Sequence, residues 1–107
     1  MAGSISSGGF STSFVGTASA AVDNTNVVAT SKARIVVINR HATNTIWMRT
    51  DGTDATAASG SVPVLPLSQS DPIDVDEGTT TKVSVLGSAS NEPFAVVVSP
   101  SLYRRRG

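Results

Sequence analysis

The sequence predicts an all-β protein: a single small β-sandwich, jelly-roll-like or Ig-like, of about seven strands. Three observations predict it. Serine and threonine together account for 28 of the 107 residues and valine for 14, and valine and threonine favour pleated surfaces. Lysine and glutamate, which usually populate exposed helices, occur only twice each. Apolar residues alternate in short runs separated by turn residues, the spacing of sandwiches and small barrels.

Residues 1–9 are rich in glycine and serine and read as a flexible N-terminal arm. The run Phe10 to Val15 puts Phe10, Thr12 and Phe14 on one face of a first strand. Residues 16–26 are small and polar with no clear period and read as a loop. Ala33 to Asn39 is the strongest strand, with Ile35 and Val37 on one face and Val36 and Ile38 on the other. Apolar side chains on both faces predict a central position. His41 to Asn44 is turn-like, and Thr45 to Thr50 follows with Ile46 and Met48 opposite Trp47 and Arg49. The two strands read as a hairpin.

A small polar loop spans residues 51–61. Val62 to Leu67 alternates but carries Pro63 and Pro66; each proline removes a ladder donor, which assigns the segment to an edge. Ile73 and Val75 alternate with Asp74 and Asp76, and Glu77-Gly78 turns the chain. Thr80 to Leu86 points Val83 and Val85 inward. Asn91-Glu92-Pro93 reads as another turn, and Phe94 to Val98 as a second strand that is apolar on both faces. Pro100 stops it. The domain therefore spans residues 10–100, and residues 101–107 form a basic tail.

A chain of 107 residues holds one domain and is too short for a two-domain enzyme. The absence of cysteine excludes a disulfide framework, a zinc finger and thiol catalysis. No apolar run approaches the roughly 20 residues of a spanning helix, so no membrane partner is expected. The first residues have no basic or long apolar stretch of the secretory kind. The expectation is a protein left in a cytoplasm or assembled there into a particle.

His41 is the only histidine. A Ser-His-Asp triad needs one, but no Gly-x-Ser-x-Gly elbow accompanies it, and a turn histidine or one touching a neighbouring subunit is the simpler reading. Asp71, Asp74, Asp76 and Glu77 cluster within seven residues, yet they lack the order of a Ca²⁺ loop and read as a polar outer face. Phosphate-binding glycine motifs are absent. No metal, cofactor or catalytic set is expected. Trp47 reads as core before interface. Leu102 and Tyr103 have no place in the domain and suit an interface, where aromatics are enriched. Arg104, Arg105 and Arg106 suit an acidic protein surface or a solvated tail; three charges with no aromatic-interleaved groove make a weak case for nucleic acid.

The stretch from Val37 to Thr53, with its Asn39-Arg40-His41-Ala42-Thr43-Asn44 loop, its Ile46-Trp47 strand and its Asp51-Gly52-Thr53 end, resembles small β-sandwich proteins of tailed-bacteriophage virions. Val64 to Leu67 and Asp71 to Val75 extend the likeness. The sequence departs from the usual Pro-Gly-Glu turn, having Pro66-Leu67-Ser68 instead. The resemblance implies a non-enzymatic structural role, with a capsid decoration (cement) protein the first expectation. Its partners would be the major capsid protein or other virion proteins, with self-assembly as an oligomer, a trimer foremost. A head–tail connector, tail or fibre component is the alternative, and a carbohydrate-binding module the third. The arms supply the expected contacts: Phe10, Phe14, Leu102, Tyr103 and Arg104 to Arg106.

Formal neutrality conceals three blocks. In residues 1–50, Lys32, Arg34, Arg40 and Arg49 outnumber Asp23 by three; residues 51–103 carry seven acids against Lys82; the tail adds three arginines. The expectation is that neighbouring copies meet by opposite charge.

Overall fold

The computed structural model describes residues 2–7, 12–30, 32–57 and 60–100, with side chains from residue 15 onward. The described residues form nine strands and no helix: β1 (Ala2–Ser7), β2 (Thr12–Ala18), β3 (Asp23–Ala29), β4 (Ala33–Asn39), β5 (Ile46–Arg49), β6 (Val62–Val64), β7 (Ile73–Val75), β8 (Thr80–Leu86) and β9 (Glu92–Pro100). They build two sheets, in the orders β1-β3-β8-β5-β6 and β2-β9-β4-β7. The all-β sandwich is as expected, with more strands than the apolar alternation displays.

Val27 of β3, Ile35 and Val37 of β4, Ile46 and Met48 of β5, Val83 and Val85 of β8, and Phe94, Val96 and Val98 of β9 fill the space between the sheets. Each such side chain taken out of water contributes about 1.5–3 kcal/mol. β4 is central, as its two apolar faces require: β9 pairs it on one side and β7 on the other.

Four readings of the sequence need correction. Ala2–Ser7, assigned to an arm, runs as a strand parallel to β3, with Ile5 opposite Val27. Residues 16–18 and 23–26, assigned to a loop, close β2 and open β3, where Asp23 and Thr25 point inward. β4 and β5 do not form a hairpin. They lie in different sheets, and the chain crosses the sandwich through residues 40–45. Glu92 belongs to a strand rather than a turn: it opens β9 and is fully buried.

Trp47 also lies away from the core. Ile46 and Met48 take the inward positions of β5 and leave Trp47 half-buried on the outer face. The edge assignment of the proline-bearing segment holds, since β6 ends its sheet with Pro63 opposite Trp47.

Candidate functional site

The resemblance-bearing loop after β4 is a piece of internal carpentry. Asn39 is fully buried. Its Nδ2 donates to the Asn44 carbonyl at 2.7 Å and to the Val64 carbonyl at 2.9 Å, and its Oδ1 accepts from His41 N at 2.9 Å. One side chain thus satisfies three backbone groups where the chain leaves one sheet for the other, which is why a short loop here switches sheets. His41 finishes the loop: its Nδ1 accepts from Thr43 N at 3.1 Å and Asn44 N at 2.9 Å. That places the only histidine as a loop brace, with its accepting nitrogen already engaged.

Asn44 then donates its Nδ2 to Glu92 Oε2 at 2.8 Å. Ser88 N donates to Glu92 Oε1 at 2.7 Å, and Ser88 Oγ donates to Glu92 Oε2. Burial pushes the Glu92 carboxyl up, but the donors of Ser88 and Asn44 outweigh it and hold the group below its ordinary value. Gly87 belongs to the same corner. A Cβ there would overlap Glu92 Oε1 and come within 2.8 Å of the Ala18 Cβ.

The outward-facing counterpart begins one turn away. Leu65 to Ser68 forms a turn closed by Ser68 N donating to the Leu65 carbonyl at 3.1 Å. Pro66 takes the second position, for which its ring suits it. Leu67 takes the third with φ of +55°, where a type II turn ordinarily has glycine or asparagine. Leu67 N donates to the His41 carbonyl at 3.1 Å, and Asn39 N donates to Ser68 O at 2.8 Å, so the turn is tied to the braced loop behind it. Leu67 is nevertheless 70% exposed, with Leu65 at 59% and Val62 at 53%. A leucine in a left-handed conformation is strained, and here it displays its side chain to solvent.

Beside this lip, a cavity of about 190 Å³ lies between the β6 and β7 edges, lined by Met48, Thr50, Val62, Asp71, Pro72 and Ile73 among others. Lip and cavity occupy one side of the sandwich, where both edge strands are three residues long.

The acidic cluster divides. Asp74 pairs with Arg34 at 3.0 Å and Asp76 with Lys32 at 3.6 Å, while Asp71 and Glu77 have no ion pair among the described residues. Two further pairs join Arg49 to Asp51 and Lys82 to Asp54 at 2.8 Å. Arg49 and then Thr53 hold the Asp51 carboxyl far below its ordinary value; Lys82 and then Asn24 lower that of Asp54. Much of the opposition between the basic first half and the acidic second half is therefore met inside the chain, chiefly because β4 lies against β7. The described residues contain no group of three or more His, Asp and Glu side chains placed to hold a metal ion.

Phe14 belongs to β2, opposite Val96. Phe10, Leu102, Tyr103, Arg104, Arg105 and Arg106 lie outside the described residues. The exposed leucines went unassigned in the sequence, although Pro66 marked the turn that carries Leu67.

No protein-family model matches the chain, and no curated protein matches it. Among solved structures it is similar to the periplasmic inhibitor of g-type lysozyme PliG from Aeromonas hydrophila, at 13% identity and a TM-score of 0.53, covering 92% of this chain and 98% of that one. It is also similar to the pre-peptidase C-terminal domain of a collagenase from Bacillus anthracis, at 14% identity and a TM-score of 0.53, covering 92% and 95%. Likeness at this level of identity is a likeness of fold.

Proposed function

We propose that this chain is a non-enzymatic structural protein of a tailed-bacteriophage virion: a capsid decoration protein that binds the assembled head as an oligomer, with the trimer as the working assumption. The observation that carries an attachment role is Leu67, an apolar side chain held outward in a strained turn that glycine would relieve. Strain at an exposed apolar position is disfavoured by both folding and solubility, and it marks a contact surface. Leu65, Val62 and the adjoining cavity extend that surface, and the braced loop behind it keeps the turn rigid before contact. The phage context comes from the Val37–Thr53 resemblance. A head–tail connector or tail part would use the same surface at far lower copy number.

The test uses particles assembled without this chain. Added wild-type protein should coat them to a copy number comparable with that of the shell subunits and raise their resistance to heat. The L65S/L67G double variant should fold at least as stably, since glycine relieves the left-handed strain, yet bind at least about tenfold more weakly, as loss of two buried leucines implies. Equal occupancy by the variant would remove the lip from the account. A copy number of a few per particle would move the protein to the neck or tail.

A further inference from the structure

We propose that the gap between the two sheets at the β6–β7 side is a socket for one aromatic side chain, carried beside a basic residue on an extended segment of the partner. This names the chemistry that the attachment surface would recognise, and it rests on reading the Leu65–Leu67 lip as part of a contact.

The socket exists because both sheets stop short here. β6 ends one sheet and β7 ends the other, and each is three residues long. The cavity of about 190 Å³ lies where they part. It reaches the core: Met48, only 3% exposed, lines it and belongs to the cluster between the sheets, and Ile73 packs against that cluster. Its walls are fixed by the fold. Val62 is paired with Met48 across β6 and β5, and Ile73 with Ile35 across β7 and β4. Ser70 N donates to the Val37 carbonyl at 2.8 Å, and Val37 N donates to Ser70 Oγ at 3.0 Å. A cavity walled in this way is formed before its ligand arrives, as binding pockets usually are.

Size and lining select the occupant. An apolar cavity of about 150 Å³ accepts benzene, so this one, of about 190 Å³, holds a phenyl ring. Met48, Val62, Pro72 and Ile73 supply the apolar surface. Two lining residues favour a ring over an aliphatic chain. The thioether of Met48 suits an aromatic edge, and the guanidinium of Arg49 suits an aromatic face.

Charge selects the neighbour of that ring. Arg49 is already bonded to Asp51 through Nε and Nη2. The Ser70 hydroxyl is engaged by Val37 N and by the Asp71 carbonyl. Asp71 is exposed, lines the same opening and has no ion pair among the described residues. The uncompensated charge among the lining residues is therefore negative, and it complements a lysine or arginine. Edge strands leave a row of backbone groups open to an added segment, so an extended partner can reach the gap and Asp71 together.

The experiment uses the full chain, isotope-labelled at its methionine methyl groups, with no particle present. Met1 and Met48 are the two methionines, so the Met48 methyl resonance reports on the socket directly. The probes are capped tetrapeptides. Ser-Phe-Lys-Ser should shift the Met48 methyl saturably, and Ser-Ser-Lys-Ser should not. Ser-Leu-Lys-Ser should bind about threefold more weakly, since it lacks the ring that Met48 and Arg49 favour. Ser-Phe-Gln-Ser should bind about two- to fivefold more weakly, the scale of an exposed ion pair. D71N should weaken the phenylalanine–lysine peptide by that same factor and leave the glutamine peptide unchanged. No saturable shift below about 10 mM phenylalanine–lysine peptide, equal binding of the serine or leucine peptide, or indifference of the lysine peptide to D71N would each overturn the proposal. Particle coating by L65S/L67G tests the lip separately. A silent Met48 methyl with weakened coating removes the socket and leaves the lip; a responding methyl with unchanged coating does the reverse.

Discussion

Asp23 and Glu92 are both buried carboxylates, and each is the first residue of a strand, of β3 and β9. They lie at the same end of the sandwich, where Gly87 N donates to the Ser19 carbonyl at 2.9 Å and stitches the two corners together. Their surroundings differ in one respect. Glu92 receives donors from Asn44 and from both the backbone and the side chain of Ser88, and its carboxyl is held down; Asp23 Oδ1 receives none, and its carboxyl is held up. Burial alone therefore does not decide what a charge does for a fold. A fully hydrogen-bonded carboxylate fixes a corner, and a buried one that lacks donors costs stability, which at Asp23 the charge of the N-terminal amine offsets only in part.

The sharpest way to break this contrast is at Glu92. E92Q presents an amide where Asn44 Nδ2 and Ser88 Oγ already donate, so donors face a donor. A loss of about 3 kcal/mol in urea unfolding is expected, the scale for breaking a buried hydrogen-bonded charge. G87A attacks the same corner sterically and should cost about 2 kcal/mol by overpacking against Glu92 and Ala18. If either variant unfolds like wild type, the corner is not a stability device.

At Asp23 the sign reverses. D23N should raise stability at neutral pH by about 1 kcal/mol, since it removes a buried charge whose Oδ1 receives no donor and whose burial outweighs the pull of the N-terminal amine. pH gives a second view of the same difference. The carboxyl of Glu92 is depressed below 4.5, so its contribution is present above that value and is lost as pH falls toward its folded pKa. The carboxyl of Asp23 is raised above 3.8, so its penalty grows as pH rises from that value and is complete above its folded pKa. The ionic parts of both mutational effects should therefore shrink in acid, with opposite signs. The smallest effect belongs to the exposed pairs: D74A, which removes the partner of Arg34, should change stability by less than about 0.5 kcal/mol.

The sequence made legible what apolar alternation records. β4, β8 and β9 alternate or saturate with valine and isoleucine, and each stands near its expected place; Pro63 marked its edge. β1 and β3 were not legible, because Ala2–Ser7 carries a single large apolar residue and β3 opens with Asp23, Asn24 and Thr25, residues that ordinarily signal a turn. The separation of β4 from β5 into different sheets was hidden for another reason. A short loop between two strands reads as a hairpin unless one knows that Asn39 can satisfy three backbone groups at the crossing. Of the candidate surfaces, the Pro66 turn was visible as a turn, but Leu67 became informative only with its positive φ and exposure. Asp23 looked like an ordinary loop acid until the structure placed its carboxylate inside the sandwich with no donor on Oδ1.

The most direct measurement is the equilibrium unfolding of D23N beside wild type at neutral pH. If the buried, donor-poor Asp23 carboxylate costs the fold stability, the midpoint in urea rises while the slope stays the same. A fall comparable to that of E92Q would show that Asp23 is a second structural brace, and the two carboxylates would no longer differ.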